Sequence, residues 1–155
     1  MIGISGERPR PLLLTRVGPH LCAVPIEHVI ETMRPLPIEG LANAPSFVLG
    51  VAIVRGCPVP VVDTGALLGT PRASSSRFVA LRLGERTCVL DVDGVLGVRD
   101  LRGAPLSELP PLLRHKESDA VESIGALDTR LLVVLRSSRI VPDHVWAAMT
   151  EARQA

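Results

Sequence analysis

The residues best placed to do chemistry are Asp63, Thr64 and Gly65, which follow the apolar pair Val61-Val62 and precede Ala66. An aspartate is a candidate for acid–base chemistry when a second carboxylate stands within hydrogen-bond reach of it. Two carboxylates that close share one proton and together activate a water for peptide hydrolysis. The same triplet has a plainer use: an aspartate that ends a strand and starts a helical turn, its side chain accepting backbone N–H groups. Elsewhere the inventory is thin. Asp91-Val92-Asp93-Gly94 opens like a calcium loop but lacks the third oxygen position and the closing glutamate, and reads instead as a turn or bulge at Gly94. His20, His28, His115 and His144 do not pair at metal-ligand spacing, and Cys22, Cys57 and Cys88 form no C-x-x-C. Ser74 to Ser76 stand in no G-x-S-x-G elbow, and Gly50 to Gly56 lacks the Gly-Lys-Ser/Thr of a phosphate loop. These absences favour a binding module over an enzyme and imply no cofactor and no metal.

The elements that would position these residues are short strands. Leu12 to Val17 is apolar, Gly18-Pro19 turns the chain, and Leu21 to Val24 resumes. Val29 to Met33 is a third segment, stopped by Pro35 and Pro37, and Pro45 to Val48 can start one helical turn. Val51 to Val54 and Val59 to Val62 pair around Arg55-Gly56-Cys57-Pro58. Both are apolar at every residue, which predicts that both faces of their sheet are covered. Residues 70 to 76 (TPRASSS) are the best candidate for a linker between subdomains, with an ordinary loop as the alternative. Phe78 to Leu83, Gly84-Glu85 and Thr87 to Val92 form a hairpin. Val95 to Leu101 and Leu131 to Leu135 are further strands, while residues 103 to 120 read as a long irregular loop. Pro142 to Arg153 is the clearest helix, with Asp143 in its first turn and Val145, Trp146 and Met149 at three-and-four spacing. The reading is all-β, a barrel or sandwich of about ten strands with one C-terminal helix.

Composition sets the bounds. The 155 residues are 46% hydrophobic and 21% charged, a globular composition. At this length the chain buries enough surface for a core without metal or disulfide staples. Lys plus Arg is 17 and Asp plus Glu is 16, so the net charge is +1; with no Tyr, two Phe and one Trp, neither phosphate neutralisation nor base stacking is supported. No nucleic acid partner is expected. The longest uncharged stretch, Gly40 to Val54, contains Asn43, Pro45 and Ser46 and is too short to span a bilayer. The first eleven residues lack an apolar signal core, and the three widely spaced cysteines read as residues of a reducing cytosol. A cytoplasmic protein without direct membrane insertion is the expectation.

Two family resemblances follow. Val61 to Ala66 resembles the active-site turn of retroviral-type aspartic proteases, with Ile124-Gly125 roughly 60 residues later. That reading makes the chain a protease homodimer through Asp63, Thr64 and Gly65, and no glycine-rich flap hairpin separates the two segments. A longer stretch is more specific. Leu41-Ala-Asn43-Ala-Pro45-Ser-Phe47-Val-Leu-Gly50-Val51, then Arg55-Gly56, then Val59-Pro60-Val61-Val62-Asp63, resembles the central signature of the CheW family, the adaptors of bacterial chemotaxis-type signalling. Ala23 to Ile26, Val29 to Glu31, Asp91 to Val98, Ser123 to Leu127 and Arg130 to Leu132 are similar to flanking family segments, so the likeness covers residues 12 to about 141.

The resemblance implies two linked five-stranded SH3-like β-barrels with one hydrophobic core between them, and no catalysis. It implies a single domain over residues 10 to 147 with a subdomain boundary near 70 to 76, a flexible N-terminus over 1 to 9 and a helix tail over 148 to 155. The implied partners are the regulatory domain of a CheA-type histidine kinase and the cytoplasmic tip of a methyl-accepting chemoreceptor. By motif position, Val29, Glu31, Gly50, Arg55, Val95 and Val98 match family positions tied to receptor coupling and array function. Apolar side chains and a glycine suit a groove for an amphipathic helix, and one Arg beside one Glu suits fixing its register. The chain departs from the family pattern where Ile53 and Val54 replace Asn-Leu and where Thr64-Gly65 replace Leu-Arg. These departures leave open a diverged adaptor that binds the kinase but not receptors.

Overall fold

The computed structural model describes residues 11–70, 77–101, 107–108 and 120–154. Eleven strands and two helices run in the order β1 Pro11–Val17, β2 His20–Pro25, β3 Val29–Met33, β4 Val48–Val54, β5 Cys57–Asp63, α1 Thr64–Leu67, β6 Arg77–Leu83, β7 Arg86–Val92, β8 Gly94–Asp100, β9 Ser107–Glu108, β10 Val121–Leu127, β11 Arg130–Leu135 and α2 Asp143–Gln154. They form two sheets. One has the order β8-β1-β2-β11-β10-β9 and the other the order β3-β6-β7-β5-β4. Apart from the two-residue β9, each sheet has five strands, as expected of paired SH3-like barrels.

Period-two alternation builds three cores from these strands. In the six-stranded sheet Leu12, Leu14, Leu21, Ala23, Leu132 and Val134 point inward to one barrel interior. In the five-stranded sheet Ala52, Val54, Val59, Val61, Phe78, Ala80 and Val89 fill the other. The intervening residues of the same strands, among them Leu13, Cys22, Val24, Val62, Val79, Leu81, Cys88, Leu90, Val133 and Leu135, meet in a third cluster shared by both sheets. Within the apolar run Leu131 to Leu135, the four residues from Leu132 onward alternate between two cores, while Leu131 is exposed. Helix α2 closes the shared core with Val145 and Met149, and Arg86 of β7 lies 5.1 Å over the Trp146 ring.

Three expectations need correction. The strands flanking residues 71–76, β5 and β6, lie in one sheet, so the sheets do not divide there. The chain passes between sheets at Ile26–His28 and again at Asp93. Long-range parallel pairs, β2 with β11 and β5 with β7, assign the strands to sheets. Pro45 to Val48 is a single turn closed by the Val48 N–H on the Pro45 carbonyl at 2.9 Å, because the chain enters β4 directly afterwards. Within the span read as irregular, Ser107–Glu108 pairs with β10. Residues 1–10 and 71–76, with Ser74 to Ser76, and His115 lie outside the described residues.

Candidate functional site

All six candidate positions fall on, or in the turn next to, β3, β4 and β8, the outermost strands of the two sheets apart from the two-residue β9. Val29 and Glu31 are on β3, Gly50 on β4, Arg55 in the turn after β4, and Val95 and Val98 on β8.

Arg55 and Glu31 are brought together by barrel closure. β3 and β4 stand at opposite ends of the five-stranded order, and rolling the sheet returns them to each other. The segment after β3 joins β4 through Glu39, whose N–H reaches the Val51 carbonyl at 2.9 Å while the Val51 N–H reaches the Glu39 carbonyl at 2.7 Å. Arg55 and Gly56 form the two-residue hairpin turn, with φ of +50° and +82°. Positive φ at both positions is the primed turn that matches strand twist, and it projects the Arg55 side chain from the tip. Its Nε donates to Glu31 Oε2 at 2.6 Å and its Nη2 to Oε1 at 2.9 Å, a bidentate fork. The hydrogen bond from Arg55, followed by its charge, holds the Glu31 carboxyl below the usual range against partial desolvation. The Arg55 side chain remains 76% exposed.

The valines frame the margin of the shared core. Val29 lies opposite Leu81 in the β3–β6 ladder and packs against that core, as do Val51 and Val95. Val98 lies opposite Leu13, so it projects from the same sheet face as a shared-core residue, yet it is exposed. Gly50 is different. It is buried at φ +145°, and a Cβ there would sit 1.9 Å from the Glu39 carbonyl oxygen. Close passage of Glu39 accounts for glycine at this position.

Sequence reading singled out Ile53 as a departure but missed its exposure. An all-apolar β4 predicted cover on both faces, but Ile53 is 62% exposed, with Ala52 and Val54 buried on either side. Hydrophobicity alone gave no signal that this face of β4 runs out past the shared core.

The Asp-Thr-Gly segment is a cap. Asp63 ends β5 and precedes α1, and its Oδ1 accepts the Ala66 N–H at 3.2 Å. The residue is 8% exposed and neighbours Asp91 across the parallel β5–β7 pair. Ile124-Gly125 lies on β10 in the other sheet. An aspartate so enclosed does not face a twin across a substrate channel, and the protease arrangement is not formed. Asp93 likewise serves structure: its carboxylate accepts the Gly18 N–H at 2.7 Å, and its own N–H donates to the Arg16 carbonyl at 2.9 Å, where the chain crosses between sheets. His28 Nδ1 lies 3.1 Å from Ser137 Oγ, tying the other crossing to the segment after β11. Among the described residues no cluster of three or more His, Cys, Asp or Glu can hold a metal, and no helix is long and apolar enough to cross a membrane.

Comparisons with known proteins agree with this geometry. The family model of the CheW-like domain matches residues 11–144. Chemotaxis protein CheW of Rhizobium meliloti is 26% identical over 138 residues, covering 87% of this chain and 89% of that protein. Chemotaxis protein CheW of Klebsiella aerogenes is 26% identical over 130 residues, 78% of each. Protein FrzA of Myxococcus xanthus is 34% identical over 101 residues, 63% of this chain and 62% of that one. The crystal structure of the scaffolding protein TtCheW from Thermoanaerobacter tengcongensis superposes with a TM-score of 0.68 at 22% identity, covering 83% of this chain and 90% of that one. A family match over 134 consecutive positions, on a fold that superposes on that scaffolding protein, places this chain in the CheW-like domain family.

Proposed function

We propose that this chain is a non-enzymatic chemotaxis-type scaffold that couples a CheA-type histidine kinase to chemoreceptors in a cytoplasmic signalling array. The CheW proteins it resembles support the scaffold role, and FrzA extends the set of relatives to 34% identity. The observation that carries the reading is the Arg55–Glu31 fork, held by two hydrogen bonds yet exposed at the arginine, on the strand that also carries Val29 at the margin of the shared core. A preorganised charged fork next to apolar surface fits an amphipathic helix, which needs both a register-fixing charge and apolar contact. In this reading Val29, Glu31, Arg55, Val95 and Val98 meet the receptor hairpin, and Gly50 shapes the strand behind them.

The test is calorimetric titration of the chain with a CheA-type regulatory domain and, separately, with the cytoplasmic hairpin fragment of a chemoreceptor from the same cell. Binding to both in the micromolar range is expected of a modest transient interface. Arg55→Ala is expected to weaken the receptor fragment and leave the melting temperature nearly unchanged, because the side chain is exposed. Binding to neither probe refutes the reading. Binding to the kinase domain alone establishes the diverged adaptor that Ile53 also allows.

A further inference from the structure

We infer that Ile53 is the specificity-determining residue of the receptor-facing rim. It selects an amphipathic helix that sets an aliphatic side chain on it and a carboxylate on the outward N–H groups of Arg55. This inference rests on the adaptor reading and deepens it. Ile53 is the most exposed large apolar side chain among the described residues, at 62%. Left in water, it contributes almost nothing to folding. It projects on the same side of β4 as Val51, which packs against the shared core, and so extends that apolar margin outward.

Ile30, the bulge residue of β3 next to Glu31 in sequence, is itself 42% exposed. The two hydrogen bonds between Arg55 and Glu31 tie the strand that carries Ile30 to the hairpin that carries Ile53. Those two bonds use two of the five N–H groups of a guanidinium, and the Arg55 side chain is 76% exposed. An aliphatic residue and an acid about one helical turn apart complete this pattern. The mode is helix on side chains rather than an added strand, because Glu39 already occupies the outer backbone edge of β4 at Val51. An asparagine at position 53, as in the family pattern, answers a polar partner group; isoleucine leaves such a group unpaired, which is how it discriminates.

The experiment measures two affinities by calorimetry for the wild type, Ile53→Asn and Ile53→Leu. One probe is a chemoreceptor hairpin fragment from the same cell and the other is such a fragment from Klebsiella aerogenes. Ile53→Asn is expected to shift the ratio of the two affinities by about tenfold away from the same-cell fragment, the scale of losing one largely buried aliphatic contact. Ile53→Leu keeps the wild-type ratio, and neither variant changes binding of the kinase regulatory domain. An unchanged ratio in Ile53→Asn, while Arg55→Ala still weakens the same-cell fragment, overturns the inference and leaves the adaptor reading standing. Failure of the wild type to bind either fragment overturns the inference together with receptor coupling, and an equal loss toward the kinase domain also overturns the role of Ile53 as a receptor determinant.

Discussion

Gly50→Ala separates a packing role from a partner-contact role at a position that motif likeness alone ties to signalling. The added methyl would lie 1.9 Å from the Glu39 carbonyl oxygen and 2.7 Å from its carbon. Both atoms are backbone, so no flexible side chain can swing aside. Relief requires opening the Glu39–Val51 bridge, with its hydrogen bonds of 2.9 and 2.7 Å. Each bond contributes about 1 kcal/mol net, and holding a non-glycine residue at such a φ costs about 1–3 kcal/mol. The expected loss is therefore about 3–5 kcal/mol, a large share of a typical domain's stability. For a chain of this size that lowers the melting temperature by about 10–15 °C. Urea denaturation followed by circular dichroism measures it, with the midpoint falling and the slope unchanged. At a temperature where both proteins are folded, the variant is expected to bind the receptor fragment within a few-fold of wild type. A midpoint within experimental error of wild type, accompanied by lost receptor binding, refutes the packing account and makes Gly50 a contact surface.

The remaining predictions concern charge and thiols. Arg55 lowers the Glu31 pKa, so the pair's stabilisation is complete above the ordinary glutamate value of 4.5 and is lost as pH falls through the lower folded value. The melting-temperature difference between wild type and Glu31→Gln should accordingly stay constant from neutral pH to about 5 and close in stronger acid; a difference that widens there contradicts the assignment. Burial pushes the Cys22 and Cys88 thiols up to about 12, whereas Cys57 is exposed in the β4–β5 hairpin. An aromatic disulfide reagent is expected to modify one thiol in the native protein and all three after denaturation; rapid reaction of two or more native thiols contradicts the burial.

Strand identity was legible because two-sided burial writes itself as continuous apolar sequence, as in Leu132 to Leu135 and Val59 to Val62. The hairpin around Gly84-Glu85 and the helix with Val145, Trp146 and Met149 were equally plain, since local periodicity and turn chemistry define them. Sheet membership was not. A side chain's alternation records that both faces are covered, not by which sheet, and the parallel pairs β2–β11 and β5–β7 join strands far apart in sequence. The loop over 70 to 76 therefore looked like a boundary although β5 and β6 share a sheet. Glu31 and Arg55 were each recognisable by motif, but their contact across 24 residues arises only when the sheet rolls up. For Asp63 the same three letters served a cap and a catalytic turn; burial against α1 decided between them.

The arrangement of three cores also bears on where the proposed recognition would occur. Strands β1, β2, β11, β5, β6 and β7 place successive residues into a barrel interior and into the shared core. A substitution on any of them is felt in closely packed surroundings, which limits what those strands can vary without loss of stability. Among the described residues the exposed large apolar side chains stand mostly on the outer strands, at Ile30, Ile53, Leu96 and Val98, with Leu131 of β11 the exception. Among these, β3 and β4 carry the additional restraint of the Arg55–Glu31 fork, so their exposed side chains are displayed from a fixed backbone and lose little freedom on binding. In the proposed role, partner choice can drift at positions such as Ile53 while the fold stays constant, whereas a change at Val61 disturbs one barrel interior and a change at Val62 the shared core.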